Sequence, residues 1–383
     1  MIENSARNSL SNTDEHSVEK TVLLMNIIGT IYRGLGQNMS KAQEFHQLAL
    51  DLSERYDLKN EKATSLHLLG IIHRYQRNLD TALTHHEEAV ELGRKIFSTK
   101  ENGRLAAFLL NLAVVYNRLK EFDKARETYQ ETLKLVKEAY GPRDQRVARV
   151  LNTLSTYYYT VGNYRESVEA LLEALSIHEE IHGNYHPNVG QTLYALGFTY
   201  RAKGDLEESL QMLSRSLQIM RQYYGDKHYQ VAEVLHDLSN TQRELNMLDD
   251  ALENAKKCIY IFRKTLNENS SAVATSINGL GHIYLARGDP VTAQTKFEEA
   301  LKIFEKLQKH GFQGVSISET LGNIAVALKQ RGETEKAKEY VSRALKLVLE
   351  VHPETHPRIK KLRELENDLE SASENRKESD NEL

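Results

Sequence analysis

The segment LYALGFTYRAKGDLEESL, Leu193–Leu210, reads as one amphipathic helix, a break at Gly204 and the start of a second helix. Large apolar residues recur at helical spacing: Leu193, Leu196 and Tyr200, then Leu206, Leu210, Leu213 and Leu217. Gly197 and Ser209 keep places on those stripes small. Two helices approach closely only where the contacting side chains are small, so the segment predicts a helical hairpin closed at these two residues.

The hairpin repeats. Aligned on the small residue of the first helix, the copies carry Gly29, Gly70, Ala113, Ser155, Gly197, Ser239, Gly281 and Ala325, at intervals of 41, 43, 42, 42, 42, 42 and 44 residues. Seven residues after each lies a predicted turn, at Gly36, Arg77, Lys120, Gly162, Gly204, Asn246, Gly288 and Gly332. The second helix has its own small positions, Ala42, Ala82, Ala125, Ser167, Ser209, Ala251, Ala293 and Ala337. A second set follows seven residues later: Ala49, Ala89, Thr132, Ala174, Ser216, Cys258, Ala300 and Ala344. A period in this range is the signature of a solenoid.

In these residues the chain resembles the tetratricopeptide repeat family over residues 18–350. Its linkers, YGPRDQRVARVL, GNYHPNVGQTL and GDKHYQVAEVL, resemble the 42-residue repeat subtype of kinesin light chains. No long heptad segment precedes the array, so the expectation is the repeat subtype and not the motor subunit. The resemblance implies an all-α, right-handed superhelical solenoid of about eight helix-turn-helix repeats, with the first helix of each copy lining a concave groove.

Residues 1–17 are poor in apolar residues and read as a disordered lead, with the first helix starting after Thr13 or Asp14. At the other end Ile359, Leu362, Leu365 and Leu369 share one face, which predicts a capping helix over 351–370. An acidic, disordered tail is expected over 371–383. Residues 366–383 carry a net −5 and residues 1–17 a net −2, so the body between them is +3 although the whole chain is −4. The tail is therefore a candidate intramolecular competitor for a basic groove.

Composition narrows the function. The overall charge argues against nucleic acid as main partner. No apolar run is long enough for a membrane span. With one cysteine and no signal-like leader, a cytoplasmic protein is expected. Phosphate-binding, dinucleotide-binding, nucleophile-elbow and CxxC motifs are absent from the sequence, so no catalytic residue and no cofactor is expected. His178, His182 and His186 have metal-ligand spacing, but His186 belongs to a His-Pro linker and no carboxylate or cysteine completes a set; no metal is expected. Cys258 occupies a position otherwise held by Ala, Ser or Thr and reads as a packing residue.

The candidate site is the groove. Three residues before the small position lie Asn26, His67, Asn152, Tyr194, His236 and Asn278; one after it lie Phe198, Asn240 and His282, among others. Four or five after it lie Arg33, Arg74, Asn117, Arg118, Tyr159, Arg201 and Arg243. Asn both donates to and accepts from a peptide backbone, and Arg pairs with carboxylates through a planar fork. This set predicts a non-enzymatic adaptor that binds a protein or peptide segment bearing acidic groups or a terminal carboxylate. The alternative is a regulatory sensor whose solenoid changes shape on binding a signalling peptide.

Overall fold

The computed structural model describes residues 15–34, 38–98, 101–309, 315–350 and 352–381. Among them are helices and no strand. The chain divides into two compact units at Gly183/Asn184.

The N-terminal unit contains α1 (Glu15–Gly34), α2 (Met39–Arg55), α3 (Lys59–Tyr75), α4 (Leu79–Ile96), α5 (Asn102–Arg118), α6 (Phe122–Tyr140), α7 (Gln145–Thr160) and α8 (Tyr164–His182). The C-terminal unit contains α9 (Pro187–Lys203), α10 (Leu206–Tyr224), α11 (Tyr229–Glu244), α12 (Leu248–Thr265), α13 (Ser271–Ala286), α14 (Pro290–Gln308), α15 (Val315–Gln330), α16 (Thr334–Leu349) and α17 (Pro357–Asn381). Within each unit, an odd helix and the even helix after it form a hairpin, and each hairpin packs on the next. Successive odd helices touch in α1–α3, α3–α5 and α5–α7, and again in α9–α11 and α11–α13.

Turn chemistry sets the hairpins. The predicted turn positions Gly162, Gly204, Gly288 and Gly332 have φ of 82°, 97°, 76° and 77°, and Arg77, Lys120 and Asn246 hold φ of 65°, 64° and 60° in the same region. Gly36 lies outside the described residues. A left-handed residue ends an α-helix and lets its last carbonyls find donors, so the same turn recurs whether or not the residue is Gly.

Close approach then sets the packing. All sixteen small positions of the even helices, from Ala42 to Ala344, are fully buried. Opposite the glycines of the odd helices stand large side chains of the even ones. A Cβ added at Gly29, Gly70, Gly197 or Gly281 would sit 2.7, 2.7, 2.5 and 2.4 Å from His46, His86, Leu213 and Phe297 respectively. Each glycine is thus a hole for a specific knob, which the sequence reading of the small positions did not identify.

The long linkers close with helix caps. Gly141, Gly183 and Gly225 end α6, α8 and α10 at positive φ. Asp144 caps α7 with its carboxylate, while His186, His228 and His356 accept from the backbone N–H two residues on through Nδ1, at 3.2, 3.3 and 3.3 Å. An imidazole in this role must be unprotonated at Nδ1, which gives the linker histidines a structural purpose.

At the C-terminal end α17 packs on α16 and touches α15. Ile359, Leu362 and Leu369 are buried, Leu365 is half-buried, and Arg358 and Lys329 pair with Glu319 and Asp368 at 2.9 and 2.8 Å. The helix runs on to Asn381, past residue 370, the expected end of the capping helix, with the tail expected from 371. Residues 1–14 and 382–383 of the expected lead and tail lie outside the described residues, and 15–17 are helical.

Candidate functional site

In the N-terminal unit the odd-helix face carries a row of arginines. Arg33 and Arg74 lie in the last turns of α1 and α3, and Arg118 ends α5. Arg33 and Arg74 lie four residues and Arg118 five residues past the small position, and their charges add: Arg74 feels both Arg118 and Arg33, although burial is the larger cause holding its pKa below the ordinary guanidinium value. Among the described residues none of the three forms an ion pair, and the Nε atoms of Arg33 and Arg74 are buried without an acceptor. Asn117, half-buried between them in sequence phase, has a buried Oδ1 without a donor.

The other predicted residues of this unit are occupied. Asn26 is buried; its Nδ2 donates to Ser65 Oγ at 2.9 Å and its Oδ1 accepts from His46 Nδ1 at 2.9 Å. His67 stacks on Phe108 at 4.4 Å and meets His86 edge-on at 5.2 Å. Burial first, then the Arg33 and Arg74 charges, lower the His67 pKa to about 3. Asn152 Nδ2 lies 3.5 Å from His178 Nε2. Tyr159 is half-buried and its ring packs against Tyr164 at 5.3 Å.

In the C-terminal unit the same positions build a different electrostatic object. Arg201 donates to Asp237 at 3.2 Å and to Glu244 at 3.4 Å, and Arg243 shares Glu244 at 3.0 Å. The Tyr194 hydroxyl donates to the other oxygen of Asp237 at 2.6 Å. Burial, and then the Asp237 charge, push the Tyr194 hydroxyl pKa up. Arg201 also lies over the Phe198 ring at 5.7 Å. The Nε atoms of Arg201 and Arg243 lack acceptors too, but both forks are already engaged with carboxylates.

Asp237 was missing from the sequence reading. It sits two residues before the small position of its copy, where the other copies have Ile27, Leu68, Asn111, Thr153, Ala195, Gly279 and Asn323. A lone charge in that column is the signal that was there to find.

Further along this unit, His236 contacts Asn240 through Nε2 at 3.3 Å and Ser276 through Nδ1 at 3.4 Å. Asn278 is buried and accepts from Asn323 at 3.2 Å. His282 meets Phe297 edge-on at 5.2 Å, and its pKa falls to about 4 through burial and then the Arg243 charge. These three residues stitch α11, α13, α14 and α15 together.

The Cys258 thiol is not prepared as a nucleophile. Burial raises the Cys258 thiol to about 12, and Ser276 Oγ lies 3.4 Å from its sulfur. Among the described residues no group of three or more His, Cys, Asp or Glu is placed to hold a metal, and no helix is long and apolar enough to cross a membrane.

Stacked helical hairpins that present a long polar face on their odd helices define a repeat scaffold for protein interaction. The chain belongs to the tetratricopeptide repeat family, which matches residues 21–95, 104–180, 159–213, 188–264 and 248–306, with further matches over 67–140 and 318–347. Comparison with curated proteins returns no match.

Among solved structures, the chain is similar to a signal transduction ATPase with numerous domains and a tetratricopeptide repeat sensor from Pyrococcus horikoshii. The identity is 15%, the TM-score 0.62, and the match covers 90% of this chain and 51% of that one. It is also similar to a Rap protein complexed with competence and sporulation factor (16% identity, TM-score 0.54, 95% of this chain and 99% of that one). A third is BtubC from P. vanneervenii (19% identity, TM-score 0.53, 61% of this chain and 93% of that one). At these identities the likeness concerns the fold.

Proposed function

We propose that this chain is a non-enzymatic adaptor that holds an extended acidic segment of a partner protein against the odd-helix face of its N-terminal unit. The observation that carries the reading is the row of Arg33, Arg74 and Arg118, which form no ion pair among the described residues. Like charges gathered on one face repel, and an incoming carboxylate that pairs with them relieves the repulsion. Each charge-assisted hydrogen bond so formed contributes about 1.5–3 kcal/mol. Asn117, half-buried, stands beside Arg118 on α5, and Tyr159 at the same register of the next copy brings an aromatic surface. The Rap protein solved with its bound factor shows the same fold with a bound partner, which supports a binding role without specifying the ligand. A cytoplasmic setting fits the single buried free thiol, Cys258.

The test is fluorescence anisotropy with a labelled Asp/Glu-rich peptide and a length-matched Asn/Gln peptide. The acidic peptide is expected to bind more tightly, with affinity falling as salt rises. Charge reversal at Arg74 and Arg118 is expected to weaken it about tenfold or more. Equal affinity for both peptides, or no effect of the double reversal, refutes the proposal.

A further inference from the structure

The odd helices of the N-terminal unit bury two positions between hairpins, five residues before and two after the small residue. These are Ser65 and Ile72 on α3, Phe108 and Val115 on α5, and Val150 and Tyr157 on α7, all buried. On α1 the same positions are Leu24 and Ile31, and they are 39% and 53% exposed. Leu23 and Ile27 beside them are 56% and 46% exposed. The four side chains form one stripe on a helix that carries no charged residue from Thr21 to Tyr32. Contiguous exposed aliphatic side chains on one helix face make a candidate interaction site.

We infer that this stripe is the interface of a two-fold dimer, in which α1 packs antiparallel on α1 of a second copy of this chain. A second copy fits the stripe by symmetry. Leu23, Ile27 and Ile31 are evenly spaced, so a two-fold axis at Ile27 sets Ile27 on Ile27 and each Leu23 on the other copy's Ile31. That closed, self-complementary pairing is what a dimer of identical chains requires. In the same register Lys20 falls beside Gly34 at the C-terminal end of the other α1, where the helix dipole is negative. A standard interface buries about 800 Å² on each partner, so the stripe forms its core and surrounding surface completes it.

Sedimentation equilibrium of the full chain from low to high micromolar concentration tests this. The expected result is a reversible monomer–dimer equilibrium. Ile27→Glu sets two carboxylates against each other at the axis and is expected to weaken the dimer about tenfold or more. Its circular dichroism should match wild type, because Ile27 is already about half exposed. Ile27→Cys is expected to crosslink to its own copy under mild oxidation, whereas wild type, whose one thiol is buried, does not. A mixture of Leu23→Cys and Ile31→Cys chains should crosslink where neither does alone. A monomer at every concentration overturns the inference, including one whose stripe is covered by residues 1–14. So does a dimer that Ile27→Glu leaves intact, or crosslinking of Leu23→Cys with itself.

Discussion

Lowering the pH from 7 to 5 is expected to destabilise the N-terminal unit well before its carboxylates titrate. Burial, helped by Arg33, holds the His46 pKa at about 4 against an ordinary 6.5, and His67 at about 3. Both are therefore neutral in the folded unit at either pH. The unfolded chain takes up protons as the pH falls through 6.5, and the folded one does not until it reaches the lowered values. Stability is thus full above 6.5 and is lost on the way down. At pH 5 each histidine favours the unfolded state by about 2 kcal/mol, against a few tenths at pH 7. Two of them remove nearly 4 kcal/mol, a large share of the 5–15 kcal/mol typical of a domain. His86, buried and held well below its ordinary value by burial and by His67, Arg74 and His85, acts in the same direction. The assay is urea denaturation at pH 7, 6 and 5, with hydrogen exchange followed over residues 39–96. Protection should fall there first. His67→Phe, which keeps a ring against Phe108, should remove about half of the loss assigned to His46 and His67. Equal stability at pH 7 and 5, or the same pH slope in His67→Phe, refutes the reasoning.

Three further outcomes test the packing. Gly281→Val inserts branched volume where a single Cβ already lies 2.4 Å from Phe297, and should lower stability by about 1–3 kcal/mol or more in thermal or urea unfolding. Lys120→Gly relieves a side chain held at φ 64° and should stabilise the protein by about 1 kcal/mol, seen as a higher melting temperature. Asp237→Ala strips one carboxylate from Arg201, which keeps Glu244, and the acceptor from the Tyr194 hydroxyl, and should cost about 2–3 kcal/mol by urea titration, whereas Tyr194→Phe costs about 1 kcal/mol.

The fold was legible because its determinants are local and periodic. A small residue every 42 or so positions, an apolar stripe and a turn seven residues on each have one reading, and repetition removes the ambiguity of a single copy. Arg77, Lys120 and Asn246 show the strength of that argument: without glycine, register alone predicts a turn, and the backbone takes positive φ there. The knobs opposite the small residues were harder to see. His46, His86, Leu213 and Phe297 share a place in the hairpin but no chemistry, so only the hole they fill was visible in composition.

The site was less legible, and the reason is physical. Phase says which residues share a face, but it does not say whether a polar group there is met by a ligand or by the next hairpin. Arg74 and Arg201 occupy the same position in their copies. The first has no carboxylate partner among the described residues; the second is held by Asp237, which is buried, and by Glu244. Asn26 and Asn278 likewise share a register, and each spends its amide on a neighbouring hairpin, the first on Ser65 and the second on Asn323. What separates these fates is a residue one period away, and its effect depends on its own phase. Asp237 reaches back to Arg201 because it lies on the adjoining odd helix, one position off the expected column. A polar face in a repeat array is therefore a candidate site only where the next copy fails to neutralise it. Of the five arginines four or five residues past a small position, Arg201 and Arg243 are neutralised by carboxylates, and the condition singles out Arg33, Arg74 and Arg118.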